Sequence, residues 1–407
     1  MAAKPATPSW LKGAVMYSVL IDRFARGGGE PWLDPDHAKP VFCGGNLQGI
    51  IDRLGYLEEL GVDALLLSPF HPTPAYHGYH VLDFYGVEPR FGTPEILKRL
   101  LDEAHSRGMR VIMDFTLSHV SREHPFFVSA RTDPSSPYRR WFRFTKWPDE
   151  YVSFLNFPDL PKLDFADPEA KAHVIGAARH WLDFGLDGLR VDHVIGIPHA
   201  FLKEFRREVN SRHPGAVLIG EAVKGKIRRS ELPTLHIHRK WLFYLLGLLR
   251  IPTSAMLQRQ YAREMDAVFD FFFRDMTKTF LAAPAWYKPV WLLRLILRLH
   301  DAAFPRNSAL IRLLDNADHD RFLFAVGGAE EKLKEAIRLQ FDTRQPVMLF
   351  YGDAAGLKQT ESRKFEIHGD KPHGDLAIRS LMPWDGIDAG LRDFYVELIR
   401  RRKVVVR

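Results

Sequence analysis

The sequence predicts an α/β protein with a (β/α)8 TIM barrel and a small domain inserted after the third strand. Short apolar runs of strand length alternate with amphipathic helical patterns, at the spacing that parallel βαβ units require. Eight strand–helix pairs precede a closing helical pattern at residues 391–402. Several of the apolar runs end in acidic or other polar residues, which is where such barrels carry their reactive groups.

The eight strands are predicted from apolar runs bounded by glycine, proline or acidic residues. These runs are residues 14–20, 62–68, 109–115, 186–191, 217–220, 267–272, 310–314 and 346–351. Capping signals place the helices between them. Asn46 begins a helix that runs to Leu60, and Thr93 with Pro94 begins another that ends at Gly108. After the sixth strand, a helix is expected from about Met276.

The alternation stops between residues 119 and 164, in a segment rich in aromatic residues and proline. We therefore predict three parts: residues 1–119 as the first part of the barrel, 120–165 as the inserted domain, and 166–407 as the remainder of the barrel.

Composition excludes several classes of protein. The 407-residue chain has a formal net charge of +7, but its lysines and arginines are spread along the sequence. The densest basic clusters, residues 224–229 and 400–403, are short and form no known nucleic-acid-binding motif, so no nucleic-acid partner is expected. The single cysteine, Cys43, excludes an internal disulfide and does not suggest a thiolate metal site.

Two apolar stretches, residues 241–251 and 290–299, stand out from the rest of the chain. The first is about half the length that a bilayer crossing needs, and arginines interrupt the second. The N-terminus does not resemble a secretory signal. We therefore expect a cytoplasmic protein with no membrane partner. The two stretches are candidates for a homo-oligomer interface.

Charged residues collect at the predicted C-terminal ends of four strands. They are Asp114 and His119 after the third, Arg190 and Asp192 after the fourth, Glu221 after the fifth and Asp318 after the seventh. Taken alone, Arg190 and Asp192 fit a structural ion pair as well as a functional one. Four carboxylates at one mouth would raise one another's pKa values by repulsion, which a purely structural barrel would avoid. The set therefore predicts a functional site.

The chemistry that suits this set is glycoside hydrolysis by double displacement. Asp192, kept ionised by Arg190, is the predicted nucleophile. Glu221 follows an apolar strand that would raise its pKa, so it is the predicted acid/base, and Asp318 would bind ring hydroxyls. Four aromatic residues are candidates either for stacking on sugars or for packing under the loops. They are Tyr79, Phe154, Phe157 and Trp384, with packing favoured for the two phenylalanines.

These residues resemble the motifs of the α-amylase superfamily of retaining α-glucan enzymes, over nearly the whole chain. The matching segments are 16–27 (MYSVLIDRFARG), 76–93 (YHGYHVLDFYGVEPRFGT), 114–119 (DFTLSH), 157–160 (FPDL), 188–192 (GLRVD), 220–221 (GE), 314–322 (LDNADHDRF) and 382–385 (MPWD). The resemblance implies sugar contacts from Tyr79, Asp114 and His119. It also implies that Asp192 is the nucleophile and Glu221 the acid/base.

The sequence departs from the family pattern at several positions. Ala317 replaces a histidine that would contact sugar, and His80 stands where other members often have tryptophan. Ser118 and Gly196 occupy positions that the family uses around a structural calcium, so we expect neither calcium nor another cofactor. His193 is either a substitute sugar contact or a packed loop residue. The usual C-terminal β-sandwich is expected to be absent, so the apolar stretches 241–251 and 290–299 either cover the surface that this domain would bury or form an oligomer interface.

The resemblance predicts a hydrolase that cleaves α-1,4-glucosidic bonds of starch- or glycogen-type glucans or maltooligosaccharides. A transglycosylase or an enzyme of small α-glucosides would use the same catalytic residues, so the motifs leave this alternative open. A non-catalytic protein of the same fold is a third alternative, which the intact Asp192, Glu221 and Asp318 disfavour.

Overall fold

Eight parallel strands close into a barrel in which each strand pairs with its neighbours in the chain. The computed structural model describes residues 7–36, 39–223, 235–248, 253–284, 286–362 and 374–406. The barrel strands are β1 (Val15–Val19), β2 (Ala64–Leu67), β3 (Arg110–Phe115), β6 (Gly188–Val191), β7 (Val217–Gly220), β8 (Ala267–Asp270), β9 (Ala309–Leu313) and β10 (Val347–Phe350). They follow one another in chain order around the barrel, and β10 closes on β1. The predicted (β/α)8 barrel is confirmed, and each predicted strand is found.

Helices surround the barrel. They are α1 (Ile21–Phe24), α2 (Leu47–Asp52), α3 (Leu54–Leu60), α4 (Pro94–Ser106), α5 (Pro125–Thr132), α6 (Pro168–Phe184), α7 (His199–Arg212), α8 (Lys240–Leu248), α9 (Ser254–Tyr261), α10 (Phe271–Ala282), α11 (Val290–Ala303), α12 (Phe322–Ala325), α13 (Glu330–Phe341) and α14 (Ala389–Val406). The predicted caps are present. The Asn46 side chain accepts a hydrogen bond from Gly49 N, and the Thr93 side chain accepts one from Ile96 N.

Two helix predictions are wrong in detail. The expected single helix from Asn46 to Leu60 is divided at Arg53, whose φ of −111° and ψ of 7° interrupt the helical backbone. The helix after the sixth strand begins at Phe271 and not near Met276. The reason is that Asp270, the last residue of β8, caps α10 by accepting a hydrogen bond from Phe273 N.

The segment after β3 folds back onto the barrel. It contains α5 and a two-stranded antiparallel sheet of β4 (Phe144–Lys146) and β5 (Glu150–Tyr151). The Phe127 ring contacts the rings of Phe142 and Tyr151 at 4.9 and 4.7 Å, which gives the segment an aromatic core. An isolated antiparallel bridge pairs His119 with Lys162. The two ends of the segment are therefore held side by side next to β3.

The core has two layers because side chains alternate along each strand. Inside the barrel lie apolar residues such as Ile112, Val217, Ile219, Ile311 and Met348. A larger apolar cluster fills the space between the strands and the surrounding helices. Within the described ranges, no helix has both the length and the apolar content needed to cross a bilayer. The basic cluster at 224–229 lies outside the described residues.

Candidate active site

The register of the parallel strands brings the predicted carboxylates together. Asp114 on β3 lies opposite Arg190 on β6, and Val191 on β6 lies opposite Gly220 on β7. Asp192 and Glu221 directly follow this last pair, so they leave adjacent strands at the same level. The side chains of Asp114, Arg190, Asp192 and Glu221 are buried at the C-terminal end of the barrel. The backbone pairing therefore brings these four predicted residues to one mouth of the barrel.

Arg190 is the hub of the cluster. Its Nη1 donates to Asp114 Oδ1 at 2.6 Å and to Asp192 Oδ1 at 2.8 Å. Its Nη2 lies 2.6 Å from Glu221 Oε1. One buried guanidinium thus contacts three buried carboxylates, leaving a cluster with more negative than positive groups. Such an imbalance favours protonation of one of the carboxylates.

Burial is the largest influence on the pKa values of the two central carboxyls, those of Asp192 and Glu221. It raises the pKa of Asp192 to about 7 and the pKa of Glu221 to about 8, while the Arg190 guanidinium acts in the opposite direction on each. Repulsion from Asp114 and Asp318 adds to the rise at Asp192, and repulsion from Asp192 and Asp318 adds to it at Glu221. Because the two carboxyls titrate together, the pair keeps a proton to higher pH than separate carboxyls would.

Tyr79 completes the contacts of Asp114. The Tyr79 hydroxyl donates to Asp114 Oδ2 at 2.7 Å, so both oxygens of this carboxylate are held. The backbone N of Tyr79 donates to His77 Nδ1 at 3.2 Å, and the His77 ring contacts the rings of Tyr79 and His80. Burial lowers the pKa of His80, which favours the neutral imidazole at the mouth.

Phe154 of the inserted segment packs on two of the predicted site histidines. Its ring centre lies 4.4 Å from that of His119 and 4.8 Å from that of His193. Burial lowers the pKa of His193 to about 3, so this imidazole is neutral near pH 7. His193 has a left-handed backbone with a φ of 44°, and its N–H donates to Glu221 Oε2 at 3.3 Å. The loop after β6 therefore touches the second central carboxylate directly.

The inserted segment also reaches this loop through Lys162. Its buried Nζ donates to the carbonyl of Gly196 at 2.6 Å, and burial lowers the pKa of the ammonium to about 8. A Cβ at Gly196 would lie 2.9 Å from His193 Nδ1 and 3.3 Å from Lys162 Nζ. The close approach of these groups accounts for glycine at this position.

This arrangement does not fit the calcium that the family resemblance implies. The Gly196 carbonyl accepts a hydrogen bond from an ammonium group, which would repel a divalent cation at the same place. Ser118 Oγ is 3.0 Å from His119 Nδ1 and supplies no carboxylate. Across the part of the chain that the structure describes, no group of three or more His, Cys, Asp or Glu side chains is arranged to hold a metal ion.

Asp318 lies in the loop after β9, on the open side of the cluster. Its side chain is 38% exposed and contacts Arg379 Nη2 at 3.1 Å. Arg379 also donates its Nε to the carbonyl of Ala317 at 3.0 Å and pairs with Asp375 at 3.2 Å. Ala317 stands where the family has a histidine. The charged group beside it is the buried guanidinium of Arg379, a residue that follows β10 in the chain.

Sequence reasoning missed Arg379, His77 and Lys162. Arg379 belongs to none of the matching segments, although Asp375 four residues earlier is a weak signal for a helical ion pair.

For Trp384, sugar stacking is not supported. Its ring has edge contacts with Phe24 and Tyr56, and the Arg53 guanidinium lies 4.2 Å above it. Phe157 is half-buried in the turn that follows Phe154.

Comparisons with known proteins agree with this architecture. Residues 18–396 match the family described as alpha amylase, catalytic domain. Neopullulanase 2 of Thermoactinomyces vulgaris is 32% identical over 97% of this chain and 63% of its own length. A cyclomaltodextrinase of a Bacillus species is 30% identical over 97% of this chain and 66% of its own length. The chain thus spans less than two thirds of the length of these curated relatives.

A solved structure shares the fold. The cyclic alpha-maltosyl-(1-->6)-maltose hydrolase of Arthrobacter globiformis, in complex with that cyclic sugar, superposes with a TM-score of 0.78 and 26% identity. The match covers 97% of this chain and 83% of the other. The closed parallel barrel and the extent of the family match define the class: this chain belongs to the α-amylase family.

Proposed function

We propose that this protein is a retaining α-glucoside hydrolase that cleaves α-1,4-glucosidic bonds of starch- or glycogen-type glucans or maltooligosaccharides. The observation that carries the proposal is the buried Arg190 guanidinium, which the carboxyls of Asp114, Asp192 and Glu221 share. One cation for three carboxyls favours a state in which one carboxyl of the Asp192 and Glu221 pair keeps its proton while the other is ionised. A double displacement needs that combination.

Asp192 is the proposed nucleophile. Its ionised carboxylate attacks the anomeric carbon while the bond from that carbon to the leaving oxygen breaks. Glu221 gives its proton to the leaving oxygen in the same step. Ionised Glu221 then takes a proton from water, and the water oxygen displaces Asp192 from the anomeric carbon. The cycle ends with Asp192 ionised and Glu221 protonated again, so every proton is accounted for.

The remaining predicted residues are proposed to hold the sugar. The Asp114 carboxylate is fixed by Tyr79 and Arg190, so it is positioned to accept from ring hydroxyls. Neutral His80, His119 and His193 can each donate or accept a hydrogen bond. The exposed carboxylate of Asp318 is proposed to bind hydroxyls beside the cleaved bond, held in place by Arg379.

The choice of α-glucans as substrates draws on the relatives. Two are named for pullulan and cyclomaltodextrin, and the solved structure is of a hydrolase of a cyclic maltosyl sugar. These names support an α-glucan substrate for this chain. We further infer that the activity needs no metal ion and that the protein works inside the cell. The lone, buried Cys43 is compatible with a reducing compartment.

A product profile tests the proposal. The protein and its Asp192→Ala variant are incubated with maltoheptaose, soluble starch, cyclodextrin, pullulan, sucrose and trehalose, and the sugars are separated by chromatography. Shorter oligosaccharides from the unmodified protein alone would support hydrolysis and identify the bond cleaved. Products longer than the substrate would assign the protein to the transglycosylases. No change on any substrate would favour a non-catalytic protein of this fold.

A further inference from the structure

Helix α11 turns an apolar stripe outward, away from the barrel. Its inner face is anchored in the core by Leu293 and Leu297, which are buried. On the opposite face lie Trp291, Leu295 and Leu299, spaced four residues apart and exposed, with Trp291 67% accessible. The helix therefore has two apolar faces, one that packs on the core and one that faces solvent. A helix that packs on a barrel needs only the first of these.

The turn before α11 extends this surface. Trp286 is 86% exposed and the adjacent Tyr287 is also exposed. A tryptophan that accessible projects from the surface, and contiguous exposed apolar residues mark an interaction site. We call the residues Trp286, Tyr287, Trp291, Leu295 and Leu299 the α11 face.

The charged residues of the segment 286–300 are all basic, while Asp301 comes directly after this segment on α11 and Glu335 lies on α13. Residues 286–300 include Lys288, Arg294 and Arg298 and contain no aspartate or glutamate. Lys288 Nζ lies 5.6 Å from the centre of the Tyr287 ring, and Arg294 pairs with Glu335 at 3.4 Å. Arg298 is exposed and makes no ion pair with any described residue. The face therefore suits an apolar partner that carries negative charge.

Other occupants fit less well. Residues 286–300 contain no Asp, Glu, Asn, Gln, Ser or Thr, so the face has few of the side-chain acceptors that a neutral sugar requires. The rings of Trp286 and Tyr287 are inclined by 61°, which does not form one flat stacking platform. A symmetric contact between two copies would bring this basic surface against itself.

We propose that the α11 face docks this protein on the surface of an anionic lipid bilayer, with the helix lying in the plane of the interface. Tryptophan and tyrosine sit at the headgroup level of bilayers, leucine inserts below it, and arginine and lysine pair with anionic headgroups. Helix α8, in the preceding strand connection, exposes Trp241 and Leu245 in the same way. The expectation of no membrane partner considered only spanning segments, and this contact is peripheral.

Co-sedimentation with vesicles tests the proposal. The full chain is mixed with vesicles of phosphatidylcholine alone or of phosphatidylcholine with phosphatidylglycerol. We expect binding to the anionic vesicles that weakens with salt. Arg298→Gln should lower the partition coefficient on anionic vesicles about fivefold, since one surface cation contributes about that factor. Trp291→Ser should lower it at least about tenfold because a buried aromatic anchor is lost.

The matched control is Val404→Ser, which removes an exposed apolar side chain of α14 far along the chain from the face. It should bind vesicles as the unmodified protein does, and circular dichroism should give all three variants the same melting temperature. Equal binding to both vesicle types, or no binding, would overturn the proposal. Two further outcomes would overturn the proposal if the protein does not bind vesicles. Self-association that Trp291→Ser removes would assign the α11 face to a second copy of the chain. Retention on an α-glucan gel that Trp291→Ser removes would assign it to a glucan. None of these readouts depends on glycosidase activity.

Discussion

At the residue scale, the feature that most affects the proposed chemistry is that three buried carboxyls share the single guanidinium of Arg190. A single guanidinium cannot neutralise Asp114, Asp192 and Glu221 together, so the cluster holds a proton at a pH where separate carboxyls would be ionised. Asp192 and Glu221 carry the same functional group, so the proposed division of labour between them depends on their surroundings. Arg190 donates a hydrogen bond to Asp192, and burial raises the pKa of Glu221 to about 8.

The two roles can be separated with a substrate whose leaving group needs no proton. Asp192→Ala should abolish turnover of maltoheptaose and of an aryl α-glucoside alike. Glu221→Gln should lower turnover of maltoheptaose by about 10²–10⁴-fold, the usual contribution of acid–base catalysis. With the aryl glucoside, Glu221→Gln should still release a burst of phenol. The exposed Asp393→Asn serves as control, and the absence of a burst in Glu221→Gln would contradict the assignment.

The pH dependence of turnover follows from the same pair. Activity requires Asp192 ionised and Glu221 protonated, and burial raises their pKa values to about 7 and about 8. As pH falls through the lower value, Asp192 takes up a proton and the rate falls. As pH rises through the upper value, Glu221 loses its proton and the rate falls again. Because these pKa values belong to the free enzyme, we expect a bell-shaped profile of kcat/KM against pH with its maximum between them. A profile that rises steadily to pH 10 would exclude this assignment.

At the element scale, the inserted segment is part of the site because it packs on the loop after β6. Phe154 contacts the rings of His119 and His193, and Lys162 holds the Gly196 carbonyl. The loop in turn contacts Glu221 through its backbone. These contacts connect the segment to Glu221 by a path that does not run through the barrel strands.

Lys162→Met tests this connection. The variant leaves the Gly196 carbonyl without its ammonium donor, which should cost about 1–3 kcal/mol of unfolding free energy. Because the loop that contacts Glu221 is loosened, the alkaline limb of the kcat/KM profile should shift as well. Urea unfolding and a pH series measure the two effects. Lys146→Met, in the exposed hairpin of the same segment, is the control. A stability loss with an unchanged pH profile would reduce Lys162 to a structural role.

The same ammonium bears on metal dependence. Because Lys162 Nζ contacts the carbonyl that a calcium ion would need, we expect a chelator to leave both the turnover of maltoheptaose and the melting temperature unchanged. Added calcium should not raise the melting temperature, since a ligand that binds only the folded state would do so. Inactivation by the chelator, reversed by calcium, would show that the ion binds this protein after all.

The elements differ in how far sequence predicts them. Strand runs such as 217–220 and caps such as Asn46 and Thr93 are local signals, so their positions were predictable. Asp114, Asp192 and Glu221 were found because parallel strands place their ends at one mouth. Arg379 and Lys162 were not found because their partners, Asp318 and Gly196, are 61 and 34 residues away and come close only in the folded chain. The break at Arg53 has no proline or glycine at that residue to signal it.

At the scale of the whole molecule, the two ends of the barrel have different tasks. The proposed catalytic residues occupy the C-terminal ends of the strands. At the opposite end, the last helix is fastened by Arg402, which is buried and donates to the carbonyls of Gly13 and Phe341 at 3.1 and 3.3 Å. The same guanidinium donates to the carbonyls of Thr343 and Gln345. These four carbonyls precede β1 and β10, where the barrel closes.

Arg402 therefore offers a test of whether stability and activity are separable in this molecule. Arg402→Met leaves buried carbonyls unsatisfied and should lower the free energy of unfolding in urea by about 3 kcal/mol or more. Arg401→Met is the matched control, because its side chain is 73% exposed and its one ion pair within the described ranges is with Glu397 on the same helix, an interaction that contributes about 0.3–0.5 kcal/mol. At a temperature where both variants are folded, kcat on maltoheptaose should equal that of the unmodified protein. A fall in kcat for Arg402→Met under those conditions would mean that closure of the barrel at one end controls the geometry of Asp192 and Glu221 at the other.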